Sequence, residues 1–351
     1  MGAFLGVILH AIGGFAAGTF YIPIKMVKKW SWESAWLVLG LTAWLVVPFL
    51  FAWVTTPNLI EVLGSADTNS ILWTYIFGVL WGVGALTFGL TMRYLGVALG
   101  MTIALGLTTA FGTLVPPIYK GEMYKLLHTP SGQVVFFGII LCLVGVVIAG
   151  IAGMHKEKDL GVETKGEVEE FNLTKGIGVA IVAGILSASF AFGLEAGGSI
   201  SEAALAHGTK PIFQNNATLV WILWGGITSN LIYTVYLSIK NSTYKDFSNN
   251  ETPLSKNYFW AALGGLTWYL QFFFYGMGTT KLGKEYDFAS WAIHMSFIIL
   301  FSNLWGLYFK EWKGSSSETY RILYWGLGII VAAILIIGLP EQVLFILGRP
   351  S

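Results

Sequence analysis

Residues 133–153 read QVVFFGIILCLVGVVIAGIAG, a run with no Asp, Glu, Lys, Arg or His. A helix rising about 1.5 Å per residue needs roughly 20 mostly apolar residues to cross a ~30 Å hydrocarbon layer. The run meets that requirement, so it is read as a transmembrane helix. Carried outward, the same template finds ten spans, at residues 3–24, 34–54, 70–92, 96–118, 133–153, 175–198, 212–239, 258–280, 287–309 and 321–347. Most connections are short, so the expected architecture is an all-α polytopic membrane protein forming one bundle.

Composition agrees with that class. Of 351 residues, 20 are Lys or Arg and 19 Asp or Glu, 11% charged in all, whereas soluble domains carry about 25%. Apolar and aromatic residues make up 55%, with 15 Trp, 15 Tyr, 24 Phe and 43 Gly, and mean hydropathy is +0.68. Gly and interfacial aromatics are both frequent in membrane helices. A net charge of +1 supplies no basic footprint for nucleic acid. The single cysteine, Cys142, excludes an intrachain disulfide or a cysteine zinc site. The N-terminal run lacks a basic leader and a cleavage site, so it reads as a retained first span. Gly6 stands where a myristoylation signal needs Ser or Thr.

The most polar stretch, KEKDLGVETKGEVEE (156–170), falls at the middle of the chain. It divides a first five-helix repeat, 1–155, from a second, 175–351, through a linker loop at 156–174. Shifting the sequence by 187 residues superposes Gly78 on Gly265, Trp81 on Trp268, Gly89 on Gly276 and Leu95-Gly96 on Leu282-Gly283. A shift of 170 superposes Gly6 on Gly176, Gly14 on Gly184 and Phe20 on Phe190. Five spans per half is an odd number, so the second half enters the membrane inverted, the arrangement of alternating-access carriers. Loops after odd-numbered spans hold Lys25, Lys28, Lys29, Arg93, Lys156, Lys158, Lys165, Lys175, Lys240, Lys245, Lys256, Lys310, Lys313 and Arg321, against Lys120, Lys125, Lys210, Lys281 and Lys284 after even ones. The positive-inside rule then puts the odd loops, the linker among them, in the cytoplasm and both termini outside.

Ionisable groups within the bilayer are costly and commonly mark a transport pathway. Among acidic residues only Glu195 and Asp287 fall in or at the rim of a span, and among histidines only His10 and His294. Asp287, Trp291 and His294 share one face of span nine at i, i+4 and i+7, the end residues about 10 Å apart along the axis. His10, Gly14, Ala17 and Tyr21 share a face of span one. His10, Asp287, His294 and Glu195 are the candidate proton carriers, since histidine titrates near neutrality. The competing reading makes Asp287 a first-turn residue favoured by the helix dipole and the histidines interhelical hydrogen-bond partners. No histidine pair has the i, i+4 spacing of a metal site.

Span eight, within GGLTWYLQFFFYGMG (264–278), sets Trp268, Gln271 and Tyr275 on one face. Aromatic rings that stack on the C–H face of a pyranose, joined by an amide or hydroxyl that fixes orientation, are what a sugar site requires. Gln271 in mid-span needs a partner, either a sugar hydroxyl or a neighbouring helix. By the repeat, Trp81 faces Trp268 across the pseudo-twofold axis, and Tyr21 and Trp291 complete the candidate substrate set. Lys25 and Arg93 read as snorkelling anchors, and Asn216, Asn230 and Asn303 as helix-packing residues.

The words FYIPIKMVKKWSWESAW (20–36), WGVGALTFGLTMRYLG (81–96), EFNLTKG (170–176), GGLTWYLQFFFYGMG, YDFASWAIHMSF and KEW (264–312) resemble the bacterial L-rhamnose-proton symporter family of the drug/metabolite transporter superfamily. The resemblance spans nearly the whole chain. It implies a ten-helix, five-plus-five inverted-repeat permease of the bacterial inner membrane that imports a 6-deoxyhexose with a proton and uses no cofactor beyond that ion. The superfamily is usually described with cytoplasmic termini, the reverse of the charge count. After the WG of span three the family pattern carries Asn and Tyr where this chain has Ala85 and Phe88. An exporter of amino acids or other small metabolites is the alternative on the same fold. An enzyme is disfavoured, because the chain holds no catalytic pair, metal cluster or nucleophile motif.

Overall fold

The computed structural model describes residues 2–95, 97–119, 121–161, 172–282 and 289–348. Asp287, Gly96, Gly283, Arg349 and most of the central linker lie outside the described residues. No strand occurs among the described residues. The helices are α1 Gly2–Thr19, α2 Tyr21–Lys25, α3 Trp32–Gly40, α4 Val47–Thr55, α5 Leu59–Ser65, α6 Thr68–Leu95, α7 Val97–Tyr119, α8 Met123–His128 and α9 Pro130–Asp159. They continue with α10 Leu173–Ala196, α11 Gly198–Ala206, α12 Asn216–Lys240, α13 Leu254–Leu282, α14 Ala289–Tyr308, α15 Ser317–Gly338 and α16 Pro340–Ile346.

Nine segments of the described residues are long and apolar enough to cross a membrane, matching nine of the ten expected spans. The remaining one, α13, is 29 residues long. It falls short on hydropathy because Trp260, Trp268, Tyr269, Gln271 and Tyr275 dilute its aliphatic content. Helix α9 runs through Asp159, into the expected linker. Its extra turn is held by Asp159 Oδ2, which accepts from the Ser316 N–H at 2.8 Å, and by the Lys156 ammonium 4.8 Å from the Trp312 ring centroid.

Between α3 and α4 lies a π-helix, Leu41–Val46. Its cause is Pro48, which has no N–H for the Trp44 carbonyl and whose ring crowds it. The ladder slips one residue, and the Val47 N–H donates to the Thr42 carbonyl five residues back.

The chain forms two compact units, each drawn from both halves of the sequence: Met1–Gly14, Gly84–Ala188 and Gly278–Ser351 make one, and Phe15–Val83 with Ser189–Met277 the other. In the first unit, α9 lies along α15, and Val135, Ile139, Cys142 and Val146 are buried with Ile330, Ile334 and Ile337. The apolar run 133–153 is thereby covered on one face. In the second, Ala52, Val62, Ile200, Ala204, Ala217 and Val220 form a core.

Glycine sets how closely these helices approach. A Cβ at Gly78 of α6 would strike the Ile222 carbonyl on α12, and one at Gly265 of α13 would lie 2.5 Å from the Leu39 carbonyl on α3. In the other unit Gly6 packs on Leu282 and Gly176 on Leu95, while Gly14 packs on Phe297 and Gly184 on Leu107. Each of these three glycine pairs is a pair that the 187- or 170-residue shift superposes.

Loops are tied by side-chain caps. Asp246 Oδ2 accepts from the Ser31 N–H at 2.9 Å, from Ser31 Oγ at 2.9 Å and from Ser34 Oγ at 2.8 Å, satisfying otherwise orphaned donors at the start of α3. Glu33 Oε1 accepts from Asn241 and Thr243 beside it. In another loop His207 donates its Nδ1–H to the Ala203 carbonyl at 2.8 Å and approaches Glu61 at 3.6 Å through Nε2. That carbonyl bond and the Glu61 charge raise the His207 pKa above the ordinary histidine value.

Gly78→Val and Gly265→Val are each expected to force helices apart at a backbone contact, costing about 3 kcal/mol. A thermal melt of the detergent-solubilised protein should show a lower Tm for both; an unchanged Tm would show that these approaches are not tight.

Candidate functional site

The second unit holds a buried aromatic cluster. Trp81 on α6 and Trp268 on α13 have ring centroids 5.9 Å apart at an interplanar angle of 31°. Trp44, on the π-helix, stands edge-on to both, 6.2 Å from Trp81 and 5.1 Å from Trp268. Phe272 lies 4.8 Å from Trp268 and 5.4 Å from Trp81, and Phe190 on α10 joins Trp81, Phe272 and Tyr275. These spacings fall in the range where aromatic pairs attract through offset and edge-to-face contact. Room for the rings comes from glycine: a Cβ at Gly226 would sit 2.8 Å from Trp81, and Gly40 flanks Trp44 at 3.5 Å. Gln271 is buried at the cluster's edge, and its Nε2 donates to the Trp268 carbonyl at 2.9 Å.

The first unit holds a histidine pair. His10 on α1 and His294 on α14 are both buried, their ring centroids 5.8 Å apart at 64°. Gly278 makes the space, since a Cβ there would lie 2.8 Å from His10 Nε2. On the same helix as His294, Trp291 donates its indole N–H to the Thr108 carbonyl at 3.1 Å and packs on Gly112. Cys142 Sγ lies 2.8 Å from Ser296 Oγ, which in turn donates to the Ala292 carbonyl. Among the described residues no group of three or more His, Cys, Asp or Glu is placed to hold a metal ion.

The described residues thus hold an aromatic cluster edged by one amide and a pair of buried histidine rings. The family described as L-rhamnose-proton symport protein (RhaT) matches residues 2–342. The chain belongs to that family. It is 40% identical over 338 residues to an L-rhamnose-proton symporter of Yersinia pestis (strain Pestoides F), covering 95% of this chain and 97% of that protein. The L-rhamnose-proton symporter of Yersinia pseudotuberculosis serotype O:1b (strain IP 31758) matches at the same identity and coverage.

Against this family background the candidate residues sort into three groups. Trp81, Trp268 and Tyr275 meet in one cluster, with Gln271 beside them; His10 and His294 meet in one pair. Tyr21 stands apart from the cluster, 47% exposed, its ring against Phe20. Trp291 belongs to the unit of the histidines. Glu195 is exposed and lies in the other unit from them. Ala85 is exposed and Phe88 half-buried. Asn216 donates to Thr55 Oγ1, and Asn230 to the Gly82 carbonyl, as packing residues do.

Trp44 and Phe272 escaped the sequence reading. Span two contains several tryptophans with no polar residue at helical spacing to single one out, and the slip caused by Pro48 changes which face Trp44 occupies. Phe190 carried a signal, its superposition on Phe20, that pointed to a duplicated position without indicating a cluster.

Trp268→Ala removes contacts to Trp44, Trp81 and Phe272 together, and is expected to destabilise the protein by about 3 to 5 kcal/mol. Trp268→Phe should cost less. Equal Tm values for wild type and Trp268→Ala would mean that the cluster does not hold its helices.

Proposed function

We propose that this chain carries L-rhamnose, or a closely related 6-deoxyhexose, across the bacterial inner membrane in symport with a proton, by alternating access. Family membership over nearly the full chain carries the reading, since both named relatives are L-rhamnose-proton symporters. The local chemistry agrees with it. A 6-deoxyhexose has an apolar C–H face and methyl group suited to Trp81, Trp268 and Tyr275, and hydroxyls suited to the Gln271 amide. Tyr21 and Trp291 are assigned to the substrate path.

Ten spans in two inverted five-helix repeats, 1–155 and 175–351 about the 156–174 linker, are the architecture we assign, with placement in the drug/metabolite transporter superfamily. Two observations support it. The glycines that the repeat superposes make corresponding approaches, Gly78 to the seventh span and Gly265 to the second, Gly14 to the ninth and Gly184 to the fourth. Loop pairing also favours a crossing by α13. Asp159 follows the fifth span and Ser316 the ninth, and their 2.8 Å bond requires both on one face of the membrane; without α13 as a crossing they would lie on opposite faces. Lysine and arginine bias assigns that face to the cytoplasm and the termini to the outside.

The proton is assigned to the His10–His294 pair, with Asp287 and Glu195 as the other candidates. Like charges repel strongly where water is excluded, so one proton shared by two rings is the load such a pair accommodates. Sugar and proton each shift the carrier only by their differential affinity for its two orientations. Symport follows when joint occupancy lowers the barrier to switching.

Protein reconstituted in liposomes should accumulate labelled L-rhamnose faster under an inwardly directed proton gradient, and a protonophore should abolish the excess. Uptake indifferent to the protonophore would sink the coupling. Gln271→Ala is expected to weaken L-rhamnose binding about tenfold at unchanged Tm. His10→Gln and His294→Gln are expected to keep binding while losing the response to the gradient; a full response in both variants would move the proton to Asp287 or Glu195.

A further inference from the structure

Trp44 combines three features that packing alone does not call for. Its indole is 1% exposed, among the largest fully buried side chains of the protein. Its Nε1 has no hydrogen-bond partner among the described residues. Its ring stands edge-on to both Trp81 and Trp268, at 74° and 75°. A buried donor without an acceptor is penalised, because its hydration has been given up with nothing in return. Phenylalanine would fill a purely apolar niche without that penalty. The ring is carried on a π-helical turn, a distortion found frequently at functional sites, and fixed there by Pro48.

We propose that Trp44 is a specificity-determining residue of the sugar site, its indole N–H donating a hydrogen bond to one ring hydroxyl of the bound L-rhamnose. The assignment rests on the reading of the chain as an L-rhamnose carrier. Indole nitrogen is a donor only, so its partner must be an acceptor, and a hydroxyl oxygen with two lone pairs qualifies. The unmet donor also biases the equilibrium. The packed arrangement seen here leaves the N–H unpaired, whereas the sugar-loaded one pairs it, so the bond contributes wholly to the difference between them. A site that bonds a particular hydroxyl rejects the analogue lacking it far more strongly than an apolar pocket does.

The test is binding to the full-length protein in detergent, by calorimetry, of L-rhamnose and of analogues each lacking one ring hydroxyl. For the wild type, one analogue should bind about tenfold more weakly than L-rhamnose. Trp44→Phe should bind L-rhamnose about tenfold more weakly than wild type, yet bind that same analogue with little further loss. Replacing Trp44 with benzothienylalanine, which exchanges N–H for sulfur at nearly the same ring shape, should reproduce the pattern and serves if Trp44→Phe fails to fold. A variant that loses affinity evenly for L-rhamnose and every analogue, or loses none, overturns the assignment. Wild-type protein that binds no L-rhamnose overturns instead the carrier reading beneath it.

Discussion

Helices surrounded by hydrocarbon gain little by hiding apolar faces from one another, because lipid is as apolar as they are; contact itself must hold them. Dispersion falls off within fractions of an ångström, so backbones have to come close, and glycine is what permits it. Gly78 against the Ile222 carbonyl, Gly265 against Leu39 and Gly150 against Thr102 are approaches at which any Cβ would collide. The spaces left beside these seams then decide where large rings can sit. Gly226 admits Trp81, Gly112 admits Trp291 and Gly278 admits His10. Both candidate sites are in this sense products of the glycine pattern.

Polar groups follow the opposite economy, being few and local. Asp246 and Asp159 each close the start of a helix far along the chain, Asp246 at Ser31 and Ser34 and Asp159, the last residue of α9, at Ser316 and Thr319. Threonines inside spans return their hydroxyls to the carbonyl one turn back, as Thr109 and Thr267 do. Against that thrift, the groups that depart from it are informative. The aromatic cluster and the histidine pair sit in different units, and the chemistry of each is distinct: ring faces and donors in one, protonatable nitrogens in the other.

Much of this was legible in the sequence because membrane solvent imposes a simple rule of length and apolarity. Nine candidate spans followed from it, and α13 falls short of it because polar and aromatic residues such as Trp268, Tyr269, Gln271 and Tyr275 lower its hydropathy. His10 and His294 stood out as the rare titratable groups within spans, although nothing in the sequence indicated that they would meet at 5.8 Å. Trp268 stood out on the face it shares with Gln271 and Tyr275, and Trp81 through its superposition on Trp268 at a shift of 187 residues. Trp44 did not, because a helical wheel assumes a constant turn and Pro48, in the first turn of α4, breaks it over Leu41–Val46. Helix α9 continues into the polar stretch because contacts distant in sequence hold its end, Trp312 at Lys156 and Ser316 at Asp159, and charged residues in a row carry no sign of such partners.

The interleaving of the two units bears on how the protein is made. Residues 15–83 share a unit with residues 189–277, and residues 1–14 with a segment ending at 351. A ribosome adds about 5 to 20 residues per second, so the early helices wait on the order of ten seconds or more for the partners that complete their packing. During that interval Gly78 and Gly14 present open grooves to lipid and to any other nascent chain. The first half must therefore be content in the bilayer by its own apolarity, and premature termination would leave helices inserted but unmated, a natural substrate for membrane proteases.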